Sequence, residues 1–145
     1  MTMDMRLKFL SDSMKTIDFG MLSTRTEEGA FASRPMSNNG EVDYEGDSYF
    51  FTYEDTRTVA DIRRDPQVGL TFTGNTGPQG QPPLFIAVEG TAELVRDKAA
   101  FAAHWTKGLD RWFAQGPETP GLVMLHIRAA RIRYWHVAGQ GEITL

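Results

Sequence analysis

Three polar residues in succession, Thr56-Arg57-Thr58, stand between an aromatic run, Tyr49-Phe50-Phe51-Thr52-Tyr53, and the apolar pair Val59 and Ile62. If the aromatic run is a strand and the pair is one stripe of a helix, the three occupy the first helical turn. Unsatisfied N–H groups and the macrodipole favour negative charge there, and a guanidinium grips an oxyanion with two parallel hydrogen bonds. The chemistry this suggests is the binding of an anion such as phosphate. The plainer reading is that Thr56 only caps the helix and Arg57 pairs with Glu54 or Asp61 on a wet surface. The local sequence leaves both open. A second arginine, Arg34, has no obvious partner in its own stretch. Pro35 after it cannot donate to a strand ladder, which points to a sheet edge or an opening, although a plain surface arginine fits as well.

Other chemistries lack support. Asp43, Glu45 and Asp47 alternate, but without the glycine and terminal glutamate of a calcium loop they read as a solvated acidic loop. His104, His126 and His136 are scattered with no H-x-x-x-H pair, so no metal site is expected. Ser23, Ser33 and Ser37 lack a nucleophile-elbow frame, and no glycine-rich dinucleotide fingerprint follows a strand. The absence of cysteine removes disulfides, thiolate ligands and thiol nucleophiles together. A formal charge of -4 argues against a nucleic-acid partner. No apolar run approaches the ~20 residues that span a bilayer. Met1 to Lys15 interleaves Asp4, Arg6, Lys8, Asp12 and Lys15 with its apolar residues, unlike a signal peptide, so a cytoplasmic address is expected.

The elements that must position these residues follow from periodicity. Leu7, Leu10, Met14 and Ile17 predict an opening helix over Met5 to Ile17. Asp18–Thr26 and Ala30–Ser33 read as a hairpin turning at Glu28-Gly29, and Asn39-Gly40 and Glu45-Gly46 are further turn signals. After the Tyr49–Tyr53 strand, Asp55 or Thr56 caps a short helix that Pro66 ends. Gln67–Thr73 then alternates as a half-buried strand, and Gly74–Pro83 is a loop. Leu84–Val95 is a long strand in which Gly90 predicts a bulge or bend. Asp97 opens a helix to about Trp105, Leu109–Phe113 adds a helical turn, and Gly121–Val137 is the last strand, with Gly139 and Gly141 fraying its end. At 145 residues this is one domain over 1–145, of ordinary soluble composition. About six strands with helices at the start, after the third and after the fifth predict a mainly β fold, an antiparallel β-barrel with flanking helices.

Phe50-Phe51-Thr52, Thr56-Arg57, Ile62 and Pro66-x-Val68-x-Leu70-x-Phe72 resemble the core motif of the pyridoxamine 5'-phosphate oxidase-like family, the FMN-binding split barrels. Met21-Leu22-Ser23-Thr24, Ser33-Arg34-Pro35-Met36, the Trp105–Gly116 segment and Tyr134-Trp135 are closest to its general stress protein branch. The resemblance runs from about Phe19 to Trp135. It implies FMN as cofactor, with FAD not distinguished. Ser33, Arg34, Pro35 and Met36 would lie on the strand that holds the phosphate through Arg34 and the isoalloxazine through the backbone of Pro35 and Met36. By the same resemblance Phe51 and Thr52 contact ring and ribityl chain, and Thr56, Arg57 and Thr58 form the phosphate loop. Trp105, with Trp112 and Phe113, either packs a helix onto the barrel or walls the flavin.

The chain departs from the family pattern at Thr58 and Asn39, where lysine is common; Lys107 or Arg111, here or from a partner chain, could replace the missing charge. The resemblance further implies a homodimer with flavin at the subunit interface and a flavin-dependent oxidoreductase visited by NAD(P)H as donor. It does not imply true pyridoxamine phosphate oxidation, since the C-terminal substrate motif is missing from Arg131–Leu145. The rival readings are a flavin-binding stress protein without turnover, and a haem or deazaflavin split barrel in which His104 or His136 would be the axial ligand.

Overall fold

The computed structural model describes residues 2–38 and 43–145; the Asn39-Gly40 turn signal and the Asn39 position lie outside them. Helix α1 (Met3–Met14) is capped by the Thr2 hydroxyl, which accepts the Met5 N–H at 3.2 Å. The helix is shorter than its periodicity predicts, yet Ile17, in the turn that follows, is still buried in the same core as Leu10 and Met14. Strands β1 (Phe19–Arg25) and β2 (Phe31–Ser37) form the expected hairpin, with Gly29 taking positive φ at its turn. The second strand runs four residues past Ser33, carrying Pro35 at a free edge. Strand β3 (Asp47–Tyr53), helix α2 (Arg57–Arg64) and strand β4 (Gln67–Thr73) follow. The helix stops at Arg64 because Asp65, preceding Pro66, is extended. Strand β5 (Phe85–Val95), helix α3 (Lys98–His104) and strand β6 (Leu122–His136) complete the predicted set.

One element was not predicted. Gly139–Thr144 does not fray; it folds back as β7, paired to β6 from Arg131↔Thr144 to His136↔Gly139. Its periodicity is weak, and only Ile143 is buried among its side chains, so pairing and not pattern makes it a strand.

The antiparallel sheet has the order β2-β1-β4-β5-β6-β3, with β7 beside the second half of β6. The fifteen-residue β6 changes partner along one edge, from β3 (Leu122 to Arg128) to β7 (Arg131 to His136). The change lies opposite the register shift at Glu89/Gly90, where β5 bulges. A Cβ at Gly90 would collide with the Arg128 carbonyl, so glycine permits the close approach that turns the corner. The sheet thereby curls into an antiparallel split barrel whose edge strands, β2 and β3, are not joined. Leu22, Leu70, Phe72, Ile86, Leu125 and Ile132 fill the interior, closed by α1 and by Val59 and Ile62 of α2. A second cluster, centred on Phe51, Phe101, Phe113 and Met124, packs α3 and the turns after it onto β3 and β6.

Candidate functional site

The seam between the two unjoined edge strands is a cleft. In antiparallel pairing alternate residues make the ladder bonds. The Asn38 N–H bonds Asp18 O and the Thr26 N–H bonds Ala30 O, so the even-numbered residues of β2 face β1. Ser33, Pro35 and Ser37 therefore turn their backbone groups to the free edge, and Pro35 has no N–H to present there. By the same logic the Glu54 N–H to Gly121 O bond makes Phe51 and Tyr53 the free-edge residues of β3. Two strand edges with unspent donors and acceptors thus look across one gap.

The cleft has a volume of about 320 Å³, within the range of small-molecule sites. Arg34, Pro35, Met36 and Ser37 line it from β2, Phe50, Phe51 and Thr52 from β3, and Thr58 from the start of α2. Phe19 of β1 and Leu109, Trp112 and Phe113 from the turns after α3 complete the wall. The lining is largely apolar, with a few polar groups toward α2. No carboxylate, histidine, lysine or tyrosine lines it among the described residues.

The α2 end of the cleft carries a helix N-terminus. Thr56 is the N-cap: its hydroxyl accepts the Val59 N–H at 3.3 Å and donates to Tyr53 O at 2.9 Å. The N–H groups of Arg57 and Thr58 have no protein acceptor among the described residues. Arg57 is exposed and forms no ion pair among the described residues. The two carboxylates that could have neutralised it are engaged elsewhere. Glu54 meets Arg96 at 2.6 Å and Arg63 at 3.6 Å, and Asp61 meets Arg64 at 2.8 Å.

Arg34 is not the partnerless side chain its local sequence suggests. Its Nη1 donates to Thr24 Oγ1 at 2.8 Å, Ala32 O at 3.2 Å and Leu22 O at 3.3 Å. Burial lowers the affinity of Arg34 for its proton, Asp61 offsets part of this, and the positive charge of Arg57 lowers it further. Arg57 is near enough for its charge to act on Arg34, but neither Arg57 nor Thr56 is among the residues that line the cleft.

Other sequence candidates sit differently. The Ser33 hydroxyl is on the outer sheet face, 2.6 Å from that of Ser23, and only its backbone reaches the seam. Trp105 does not line the cleft; it packs edge-on against Phe51 and Phe113 and donates from Nε1 to Asp110 at 2.9 Å. The tryptophan at the mouth is Trp112, 52% exposed, with the Arg111 guanidinium over its ring. Lys107 and Arg111 lie outside the lining. His104 stacks on Tyr49, and His136 meets Phe9 edge-on; neither reaches the cleft. No group of three or more metal-ligating side chains occurs among the described residues. No helix among them is long and apolar enough to cross a membrane.

Sequence reasoning missed Asp61 and Thr24 as site components. Both are polar residues at core-facing positions, Thr24 two after Leu22 on its strand and Asp61 three after Thr58 on its helix. A polar residue in an apolar stripe was the available signal.

Comparison with known proteins agrees with this architecture. The model of the family described as Pyridoxamine 5'-phosphate oxidase like matches residues 6–145. No curated protein sequence matches significantly. Among solved structures, General Stress Protein 26 from Bacillus anthracis superposes with a TM-score of 0.75 at 24% identity, over 99% of this chain and 100% of that one. The general stress FMN/FAD binding protein from Xanthomonas citri superposes with a TM-score of 0.74 at 23% identity, over 91% and 89%. A heme binding protein from Mycobacterium smegmatis has a TM-score of 0.68 at 19% identity, over 92% and 57%. At such identities the likeness is one of fold.

Proposed function

We propose, from the premise that this chain belongs to the Pyridoxamine 5'-phosphate oxidase like family, that its seam holds FMN and that the protein is a flavin-dependent oxidoreductase of the general stress protein type. The observation that carries the reading is Arg57, a guanidinium without a carboxylate partner among the described residues, set beside Arg34 at a helix N-terminus. A riboflavin phosphate has the complementary parts: a dianion for that end, and a flat ring with donors and acceptors for the strand edges and aromatic walls. A solved structural relative described as FMN/FAD binding adds support.

Arg34, Arg57 and the N–H groups of Arg57 and Thr58 would hold the phosphate, with the Thr56 hydroxyl fixing the turn that presents them. The backbone of Ser33 and Pro35, with Phe51 and Thr52, would face the ring and ribityl chain, and Trp112 would cover the mouth; Met36 would contribute its side chain and not the backbone contact the sequence suggested, because its backbone is spent on β1. Bound flavin supplies one- and two-electron transfer. The chain's own part is anchoring, orientation and exclusion of water, because no carboxylate, histidine, lysine or tyrosine lines the cleft among the described residues. Thr58 in the place of a lysine leaves the phosphate to fewer cations, so affinity depends heavily on the two arginines. FMN fits better than FAD because a terminal dianion uses both guanidiniums fully. Haem has less to recommend it, since neither His104 nor His136 faces the cleft.

A homodimer goes with this reading. The outer sheet face exposes Phe19 (49%) and Met21 (42%) on β1, Phe85 (42%) beyond β4 and Phe31 (72%) at the far end of the hairpin, apolar side chains suited to a second copy. Phe19 belongs to both this face and the cleft, so the partner would close the site. A cytoplasmic address suits a protein reduced by NAD(P)H.

The test is direct. Purified protein should show the two-banded absorption of a flavin, and the chromophore released by denaturation should be FMN. Bleaching by NADH or NADPH with reoxidation in air supports turnover, and flavin that neither donor reduces would leave a passive binder. Protein that stays colourless and binds no added FMN would sink the assignment.

A further inference from the structure

Behind the cleft lies a buried polar cluster. Asp61 is 2% exposed and Thr24 fully buried, and neither lines the cleft. The Thr24 hydroxyl donates to Asp61 Oδ2 at 2.8 Å and accepts from Arg34 Nη1 at 2.8 Å, so it bridges the two charged groups. Asp61 Oδ2 lies 3.8 Å from Arg34 Nη2, and Oδ1 accepts from Arg64 Nη2 at 2.8 Å. The connections tie β1, β2 and α2 at one point, one helical turn beyond Arg57. Arg34 Nη1 is wholly spent on Thr24 and the carbonyls of Leu22 and Ala32. Its Nε and Nη2 make no protein hydrogen bond among the described residues, and the side chain borders the cleft.

From this we infer that Asp61, acting through Thr24, is a positioning residue that orients the Arg34 guanidinium and so sets the preference of the site for a phosphorylated flavin over an unphosphorylated one. The inference rests on the flavin phosphate reading. An arginine free to rotate loses side-chain entropy on binding, and one already held by a hydroxyl that a carboxylate orients, and by two carbonyls, loses less. A buried charge also needs a counter-charge to remain in place. Asp61 meets both needs from the side away from the ligand.

Three roles for Asp61 give different outcomes. A merely structural role would lower stability and weaken all flavins alike. Action through its charge alone would repel phosphate, and Asp61→Asn would then tighten FMN. Positioning weakens FMN and spares riboflavin. The full chain, freed of any bound flavin, is titrated with FMN and with riboflavin by flavin fluorescence. In Asp61→Asn the FMN dissociation constant should rise about tenfold, the scale for loss of an outer-shell partner, while that for riboflavin stays within about twofold. Thr24→Val, which keeps the shape and removes the bridge, should move the ratio the same way, and Thr24→Ser should restore it. If Asp61→Asn does not fold, the threonine pair carries the test. Unchanged or tighter FMN binding, or equal loss of both flavins, overturns the inference. Wild-type protein that does not prefer FMN to riboflavin would overturn the phosphate reading itself.

Discussion

Replacing Arg57 by alanine isolates the proposed anion site better than replacing Arg34 does. The side chain is exposed and has no ion pair among the described residues, so its removal should cost at most about 0.5 kcal/mol of stability. Arg34→Ala is a poorer probe, because it also removes the donor to Thr24 and one of the two guanidiniums near Asp61, so folding and the anion site would change together. At the ligand, Arg57→Ala deletes a charge-assisted hydrogen bond worth about 1.5–3 kcal/mol, or roughly ten- to a hundredfold in affinity. Exposure to solvent places the value toward the lower end.

The assay is a fluorescence titration with FMN and riboflavin at two salt concentrations, alongside thermal unfolding. FMN should weaken by more than about tenfold with the midpoint nearly unchanged, and riboflavin should not respond. The salt dependence of FMN binding should also become shallower, since one cation no longer faces the phosphate. An FMN affinity equal to wild type, or an equal loss for riboflavin, would place the anion elsewhere and refute the reasoning.

Three further outcomes follow from the packing. Trp112→Ala should weaken FMN and riboflavin together by about two- to tenfold with little loss of stability, whereas Trp105→Ala should cost about 3 kcal/mol in denaturant unfolding; the reverse pattern would exchange their roles. His104 titrates below the ordinary histidine value because burial disfavours the imidazolium and His126 adds repulsion. The unfolded chain therefore binds the extra proton, so this stability is complete above about pH 6.5 and is lost as the pH falls. The thermal midpoint should decline more in wild type than in His104→Gln over that interval, and parallel curves would remove His104 as the cause. Met21→Glu, in the middle of the apolar outer face, should yield a monomer by sedimentation while the sheet stays intact; a dimer that survives it would have its interface elsewhere.

Much of the architecture was legible because strand and helix periods are local. Val68, Leu70 and Phe72 alternate whatever lies beside them, and β4 spans the residues its pattern predicts. Thr56 caps α2 and Pro66 ends it for reasons contained in the chain nearby. The order of strand and helix signals indicated an antiparallel barrel, and the family resemblance carried in part by the Ser33–Met36 and Thr56–Arg57 motifs implied that it is a split barrel. The pairing of β7, which has little pattern of its own, was not legible.

What the chain by itself determined was every strand but β7, its helices, its fold class and the two arginines worth watching. The tertiary structure alone decided that Arg57 has no ion pair among the described residues while Glu54 and Asp61 serve other arginines, and that Trp112, not Trp105, stands at the cleft. It alone joined Thr24 to Asp61 across 37 positions of sequence. Such choices are made by pairing register and by which side chains meet across the seam. No local periodicity encodes a contact between β1, β2 and α2; the curl of the sheet does.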